Sequence, residues 1–212
     1  MTPPNGASAV EMMPSLTLMA VNSAAFSARM RALASELRKD IRFFIEPGRF
    51  LVAESGVLLA QAQAVKSTSA ECNARGYNYV SVDTGLNHNI RPAMYGSYHD
   101  IRFLPAGSQP RSGAKDYVVA GYLCESGDVF TQEEGGLVVT RHLPEARVGD
   151  YLVIHDAGAY GAAMSSNYNG RKLSPEILIN EGVAEVIRER QTFEHMVQFE
   201  RIPERLRSQA VH

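Results

Sequence analysis

The stretch that decides the fold class is GDYLVIHD, residues 149–156. It is a short run of β-branched, aromatic and aliphatic residues between turn-forming residues, a composition typical of a β-strand. Similar runs recur from residue 79 onwards, separated by Gly-rich or polar stretches. They are YVSVDTG (79–85), DIRFLP (100–105), DYVVAGYL (116–123) and SPEILI (174–179). The chain from about residue 78 onwards is therefore predicted to be mostly β.

The residues before this region have a different pattern. Apolar residues recur at helical spacing between positions 26 and 37, after a suitable helix N-cap at Asn22. The apolar run at 41–45 favours a strand, and residues 51–64 contain no proline and are interpreted as a second helix. Residues 1–20, rich in small residues and proline, are predicted to be a loose tail.

Composition limits the classes of function. Of the 212 residues, 45% are hydrophobic and 21% are charged, which is typical of a globular protein. A net charge of -2 argues against a nucleic-acid partner, and the chain lacks the apolar run of about 18 residues that a membrane span requires. The two cysteines, Cys72 and Cys124, and the lack of a secretory signal favour the cytoplasm.

Two segments combine arginine with residues suited to anion binding. In IEPGRF, residues 45–50, a glycine after the predicted strand lets backbone N–H groups approach an anion beside Arg49. An ordinary strand-to-helix turn explains these residues equally well. In residues 82–98, Arg91 is followed by Tyr95, a pair suited to binding a carboxylate and a hydroxyl.

Two more segments bring reactive or small residues together. Residues 124–128, CESGD, place a thiol, two carboxylates and a hydroxyl after an apolar strand, an arrangement suited to proton transfer or to binding an ammonium group. A hairpin turn with a buried cysteine is the alternative. Residues 156–161, DAGAYG, indicate either a closely approached ligand or a β-bulge. The sequence has no metal-ligand spacing of His and Cys, so no metal is expected.

Taken in order, these motifs resemble the pyridoxal-phosphate decarboxylases of the diaminopimelate, ornithine and arginine group. The matching text is EPGRFLVAESGVLL, VDTGLNHNIRPAMYGSYHDI, CESGD and GDYLVIHDAGAYGAAMSSNYNGR, within residues 33–186. The resemblance implies a mainly β C-terminal domain, a β-barrel like that of alanine racemase, at 66–212. It also implies that 21–65 is the last helix and strand of a (β/α)8 barrel, so that the chain is α/β overall.

The resemblance also assigns roles to residues. Cofactor binding falls to Glu46, which would pair with the pyridine nitrogen, and to Gly48, Arg49 and Tyr160 near the phosphate. The substrate would be bound by Arg49, Arg91, Tyr95, Glu125 and Tyr160. Cys124 and Glu125 would be the catalytic pair lent to a neighbouring subunit of a homodimer, the thiol as proton donor and the carboxylate as a clamp for the distal amine.

The implied activity is decarboxylation of a diamino acid that carries a second carboxylate. Conversion of meso-diaminopimelate to L-lysine comes first, because Arg91 requires a distal carboxylate to bind. A related decarboxylase of siderophore or antibiotic synthesis, or a non-catalytic partner of a longer paralogue, are the alternatives.

Parts of the implied catalytic machinery have no counterpart in this sequence. None of the four lysines stands in the context of the cofactor-binding lysine, and a complete barrel takes about 250 residues. The chain is therefore expected to supply the C-terminal half of the enzyme, with a barrel-bearing partner chain as one arrangement.

Overall fold

The computed structural model of the protein describes residues 15–37, 44, 46–68 and 76–207. The described residues fall into two compact units, which divide between Leu51 and Val52. In the first unit, helix α1 spans Ser15–Leu37. Helix α2, Gly48–Val52, begins in the first unit and ends at the start of the second.

Helix α1 begins earlier than the sequence pattern predicts. Residues 15–20 belong to the helix rather than to the predicted tail, and Asn22 lies inside it rather than at its start. The prolines and the glycine that suggested a tail all precede Ser15, and the Leu, Met and Ala that follow have high helix propensity. The strand predicted at 41–45 lies outside the described residues except for Phe44, which is 86% exposed.

The second unit is dominated by one six-stranded sheet. Its strands are β1 (Leu58–Ser67), β2 (Asn78–Val82), β3 (Ile101–Leu104), β4 (Ala114–Ala120), β7 (Arg141–Pro144) and β8 (Tyr151–Ile154). The strand order is β3-β8-β1-β2-β4-β7, and only β2 and β4 pair in parallel. Since the edge strands β3 and β7 approach each other, the sheet is nearly closed, like a barrel.

The core of this unit lies on the inner face of the sheet. Twelve buried apolar residues form one cluster, contributed by all six strands of the sheet and by neighbouring loops. The innermost side chains are fully buried: Val80, Val82, Leu152 and Ile154. The mainly β domain of this part of the chain is therefore confirmed, as is the α/β class of the whole.

The second helix predicted over residues 51–64 is wrong. The chain leaves α2 at Val52, makes one 3-10 turn at Ala53–Ser55 and enters β1 at Leu58. Ala60 and Ala62 are buried while Gln61 and Gln63 are not, which is the period-two alternation of a strand. Pairing with β2 on one side and β8 on the other outweighs the helix propensity of Ala and Gln. The sheet thus begins before residue 66, where the sequence places the start of the β domain.

Smaller elements complete the unit. Two-residue strands β5 (Gln132–Glu133) and β6 (Leu137–Val138) pair with each other, and helix α3 spans Arg91–Tyr95. The C-terminal region holds the hairpin of β9 (Glu176–Asn180) and β10 (Val183–Arg188), then α4 (Phe193–Val197) and α5 (Glu204–Arg207). All five strand-like runs of the sequence contain a strand of the structure: β2, β3, β4, β8 and β9.

Candidate functional site

Helix α3 places Arg91 and Tyr95 one turn apart, on the same side of the helix. Pro92 occupies the first turn, where no intrahelical hydrogen bond from its nitrogen is needed. The helix ends at Gly96, which has a φ of 59° and a left-handed conformation. A Cβ atom at Gly96 would collide with the backbone of Glu134, so a glycine is required at this position.

A third side chain, Tyr160, reaches the same arginine from the loop after β8. The Arg91 guanidinium carbon lies 5.1 Å from the centre of the Tyr95 ring and 4.9 Å from that of the Tyr160 ring. Both distances are within the range of cation–π attraction. We call these three residues the arginine cluster. The structure thus brings together three residues that the sequence predicts for substrate or cofactor binding.

The Arg91 charge in this cluster has no acidic partner among the described residues. Nη2 donates a hydrogen bond to Ser97 Oγ at 3.3 Å, and Nε is buried without a hydrogen-bond partner in the described part of the chain. Because a guanidinium presents donors in a fork that matches a carboxylate, the cluster is suited to binding a carboxylate.

Tyr160 adopts a strained backbone conformation, with a φ of 67°. A non-glycine residue in this region costs of order 1 kcal/mol, and such residues cluster at functional sites. The surrounding loop is held by hydrogen bonds from Ala157 N to Gly56 O at 2.9 Å and from Gly158 N to Ala53 O at 3.0 Å. These contacts fix the loop in the conformation that directs the Tyr160 ring toward Arg91.

The glycines beside Tyr160 serve this loop packing. A Cβ atom at Gly158 would collide with the carbonyl oxygen of Val52, and one at Gly56 would lie 2.7 Å from the Gly158 Cα atom. The backbone at Gly158 therefore packs directly against the backbone at Val52 and Gly56. That contact explains the small residues of the segment without the closely approached ligand that the sequence suggested.

Cys124 and Glu125 lie together on the turn after β4, where both are exposed. The alternative of a buried structural cysteine is therefore wrong. Glu125 Oε1 accepts hydrogen bonds from Gly127 N at 3.2 Å and Ser126 Oγ at 3.4 Å. Oε2 accepts one from the Tyr168 hydroxyl at 3.0 Å. The Gly127 and Tyr168 bonds hold the pKa of Glu125 below its ordinary value, so it is a carboxylate at neutral pH.

The second carboxylate of the CESGD turn, Asp128, has a structural role. It is 3% exposed, and its two oxygens accept hydrogen bonds from Leu86 N at 2.6 Å and Leu123 N at 2.8 Å. Burial raises the pKa of Asp128 despite these bonds. Asp128 thereby ties the turn that carries Glu125 to the segment that leads into α3.

A cleft of about 340 Å³ lies between these two segments. One wall is apolar and the other carries the Glu125 carboxylate and the Tyr168 phenol. The lining residues are Leu86, Ile90, Ala93, Glu125, Gly127, Ser166 and Tyr168. Such a cleft suits an aliphatic chain that ends in an ammonium group.

The residues predicted to bind the cofactor from the first unit lie at the start of α2. Gly48 begins this helix, Arg49 follows, and Glu46 precedes it by two residues. All three are exposed. Leu51 N donates to Pro47 O at 3.2 Å, which closes the first turn of the helix.

His88 is a core residue. Its Nε2 lies 2.9 Å from Lys172 O and must donate to that carbonyl, so its Nδ1 accepts from the Thr84 hydroxyl at 2.8 Å. Burial lowers the pKa of His88, which keeps the ring neutral. Within the ranges that the structure describes, no group of three His, Cys, Asp or Glu residues is arranged to hold a metal ion.

Comparison with known proteins identifies the fold and the motifs. Residues 21–158 match the family described as pyridoxal-dependent decarboxylase, C-terminal sheet domain. The chain belongs to this family. The residues that carry the arginine cluster up to Tyr95 and the Cys124–Glu125 pair all fall within the match, and Tyr160 follows two residues after it.

The similar proteins include diaminopimelate decarboxylases. The enzyme of Escherichia coli K12 is 52% identical over 177 residues, and that of Streptomyces coelicolor is 53% identical over 169 residues. A crystal structure of diaminopimelate decarboxylase covers 82% of the chain with a TM-score of 0.69 and 52% identity. The M. jannaschii enzyme in co-complex with L-lysine covers 75% of it, with a TM-score of 0.63 and 34% identity.

The chain spans only part of these relatives. It matches 41% of the length of the E. coli enzyme and 37% of the S. coelicolor enzyme. In the described segments, no helix combines the length and the apolar character needed to cross a membrane.

In the first unit, the exposed Arg49 is a donor suited to a phosphate and the exposed Glu46 carboxylate is suited to a pyridinium nitrogen. In the second unit, the exposed phenol of Tyr160 is also a donor suited to a phosphate. Lys66 lies exposed on β1, Lys115 exposed on β4 and Lys172 exposed after the Tyr168 turn. None of these three lysines lines the cleft.

Tyr168 is the residue that the sequence analysis missed. It lies within the text that resembles the family, yet no role was assigned to it. The signal present in the sequence is an aromatic residue inside a polar, turn-forming run, SSNYNGR. Such runs ordinarily carry small residues, because loops are exposed to solvent.

Proposed function

We propose that this chain is the substrate-binding C-terminal part of a pyridoxal-phosphate-dependent decarboxylase that converts meso-diaminopimelate to L-lysine and carbon dioxide. The barrel part of the active site comes from the remainder of a longer polypeptide or from a partner chain. The observation that carries the proposal is the arginine cluster, in which Arg91 lies against two tyrosine rings without an acidic partner among the described residues.

The two ends of the substrate match two different sites on the chain. meso-Diaminopimelate carries a carboxylate and an ammonium group at the end distant from the reacting carbon. In this proposal Arg91 and Tyr95 bind the distal carboxylate, and the Glu125 carboxylate binds the distal ammonium. Glu125 suits this role because its hydrogen bonds favour the ionised form.

The chain's other residues hold the cofactor and supply a proton. Glu46 would pair with the pyridine nitrogen, Gly48 and Arg49 would lie near the phosphate and the substrate carboxylate, and Tyr160 would bind the phosphate. Pyridoxal phosphate, when bound, supplies an electron-accepting ring for the electron pair that departing carbon dioxide leaves behind. Cys124 Sγ, exposed beside Glu125, delivers a proton to the carbon that has lost its carboxylate.

The exposed position of Cys124 and Glu125 supports an active site that is shared between two subunits. Both side chains protrude from the turn after β4, so a second subunit can receive them. In a two-fold dimer the contribution is reciprocal, and each site is completed by its neighbour. We therefore propose a homodimer that acts on a small amino acid in the cytoplasm, without a nucleic-acid or membrane partner.

A chimaera tests the assignment directly. The matching C-terminal segment of the E. coli diaminopimelate decarboxylase is replaced by this chain, and carbon dioxide release is measured with meso-diaminopimelate and with D-lysine, which has the same configuration at the reacting carbon but lacks the distal carboxylate. We expect turnover of meso-diaminopimelate and a strong preference for it over D-lysine. A chimaera that binds the cofactor but shows no preference would contradict the proposed substrate.

Arg91→Lys in the chimaera isolates the role of the cluster. Lysine keeps the charge but loses the planar fork, so kcat/KM for meso-diaminopimelate should fall by roughly 100-fold while that for D-lysine changes little. Arg141→Lys is the matched control, since the Arg141 guanidinium also stacks on a tyrosine, 4.4 Å from the Tyr98 ring centre. The control should retain the preference.

The 212-residue chain on its own tests whether its active site is incomplete. We expect no carbon dioxide release with added pyridoxal phosphate, and no lysine adduct by mass spectrometry after borohydride reduction. Turnover together with an adduct on one of the four lysines would show instead that the chain is catalytically complete.

A further inference from the structure

Tyr168 makes a long-range contact with the carboxylate that the proposed function assigns to the substrate amine. Its hydroxyl lies 3.0 Å from Glu125 Oε2, and the two residues are 43 positions apart in the chain. Because an ionised carboxylate only accepts hydrogen bonds, the phenol is the donor. The hydrogen bond to Glu125 raises the pKa of Tyr168, so the phenol keeps its proton.

The backbone around Tyr168 is itself fixed. Ser166 N donates to the carbonyl of buried Asn87 at 2.9 Å, and Arg171 N donates to Tyr168 O at 3.2 Å. Asn167 Nδ2 donates to Arg171 O at 2.8 Å, closing the turn. The phenol is therefore presented by a tightly bonded turn rather than by a free loop.

Three donors together fix both oxygens of Glu125. Gly127 N and Ser126 Oγ bind Oε1 from the same turn, but only Tyr168 reaches Oε2 among the described residues. Glu125 lines the same cleft as the apolar residues Leu86 and Ile90. Without the phenol, one oxygen of an exposed side chain would be free to rotate away from the cleft.

We propose that Tyr168 is a positioning residue that orients the Glu125 carboxylate toward the ammonium end of the substrate. This inference rests on the proposed function for the identity of the ligand but not for the contact itself. Tyr168 acts through Glu125. The recognised group is the primary ammonium on the carbon that also carries the distal carboxylate.

The test compares the full 212-residue chain with its Tyr168→Phe variant. The Glu125 side-chain carboxyl carbon is followed by NMR during a pH titration. In the wild type we expect its midpoint below 4.5, and in Tyr168→Phe we expect a shift upward toward 4.5. Tyr151→Phe is the matched control, because Tyr151 on β8 is 40% exposed and Tyr168 is 45% exposed. An unchanged midpoint in Tyr168→Phe would overturn the proposal.

Two ligands, added to the chimaera that carries the barrel part of the site, separate this proposal from the proposed function. L-Lysine and 6-aminohexanoate have the same carbon skeleton, but only lysine carries an ammonium beside its carboxylate, which is the distal ammonium of the substrate. We expect lysine, and not 6-aminohexanoate, to perturb the Glu125 resonance, with affinity about threefold weaker in Tyr168→Phe. Equal affinity in both chains would overturn the role of Tyr168 and leave the function intact. A midpoint that shifts while lysine has no effect on either chain would support the positioning contact and contradict Glu125 as the amine clamp.

Discussion

The six-stranded sheet and the β9–β10 hairpin are built from the same kinds of residue but bury them very differently. In the sheet, one face carries fully buried aliphatic residues, while Leu59 and Leu104 on its strands are exposed. The fully buried residues are Val80, Val82, Val118, Val119, Leu152 and Ile154. In the hairpin residues of the same types are about half exposed or more: Ile177, Leu178, Ile179, Val183, Val186 and Ile187. Both regions have the β-branched composition of strands.

This difference shows that composition predicts the strand but not what covers it. Three consecutive apolar residues, Ile177 to Ile179, make both faces of β9 apolar. That pattern is typical of a strand covered on both sides. We therefore expect the sheet to account for the stability of the chain on its own, and the hairpin to contribute little until it is covered.

The largest effect should come from the buried ion pair of the sheet region. Asp150 accepts two hydrogen bonds from the Arg111 guanidinium, at 2.7 and 2.8 Å, and others from the backbone nitrogens of Ala106 and Arg147. Asp150→Ala leaves a largely buried guanidinium without its counter-charge. The free energy of unfolding, measured with urea, should fall by about 3–5 kcal/mol.

The hairpin supplies the matched control. Glu176 pairs with Arg188 at 3.0 Å, but both side chains are more than a third exposed. Glu176→Ala should therefore lower the free energy of unfolding by less than about 1 kcal/mol. Equal losses of unfolding free energy in Asp150→Ala and Glu176→Ala would contradict the expected difference between the sheet and the hairpin.

Truncating one aliphatic side chain in each region should show almost as clear a difference in the loss of stability. Leu152→Ala opens a cavity between β1 and β3 and should cost about 2–5 kcal/mol of unfolding free energy. Ile179→Ala, at a position that is 72% exposed, should change it by less than about 0.5 kcal/mol. A large loss from Ile179→Ala would mean that the hairpin is already covered in solution, and sedimentation would then reveal self-association.

Lowering the pH should reduce the stability of the sheet region by less than the substitutions above. Burial opposes ionisation of Asp150, but hydrogen bonds from Arg111 and the backbone outweigh it and lower the Asp150 pKa below 3.8. The Ser112 backbone and side chain, helped by Arg147, lower the pKa of Glu145 from 4.5 to about 2. Since both folded-state pKa values are lowered, the stability they supply is complete above about pH 4.5 and is lost as the pH falls toward 2.

Urea midpoints at pH 6 and pH 3 measure this loss. Asp150→Asn, which cannot titrate at this position, should lose less stability between the two pH values than the wild type. The same loss in both proteins would contradict the assignment to Asp150.

Sequence patterns predict the fold where local composition and final environment agree. The five strand-like runs contain β2, β3, β4, β8 and β9, and the resemblance predicts the domain that they form. β1 was missed because Ala and Gln are helix formers, and only pairing with β2 and β8 makes them a strand. No local pattern reveals such a tertiary effect.

For the candidate site, too, the sequence predicts contacts between residues close in the chain but not contacts that only the fold creates. Arg91 and Tyr95 are four residues apart, so one helical turn brings them together. Tyr160 reaches Arg91 only because backbone packing at Gly56 and Gly158 sets its positive φ. Motif order, rather than residue chemistry, predicted the role of Tyr160. Tyr168 lies 43 residues from Glu125, and nothing in the sequence relates the two.

The position of β8 in the sheet has a consequence for the order of folding. β8 pairs with β1 on one side and β3 on the other, so Ile154 is the neighbour of both Leu58 and Ile101. During synthesis β1 can pair early with β2, but Leu58 must wait for almost a hundred further residues before its partner Ile154 leaves the ribosome. Contacts this distant along the chain make folding slow. A nascent chain that stalls before Tyr151 would contain β1, β2, β4 and β7, which pair in that order, and a β3 that lacks its sheet partner β8.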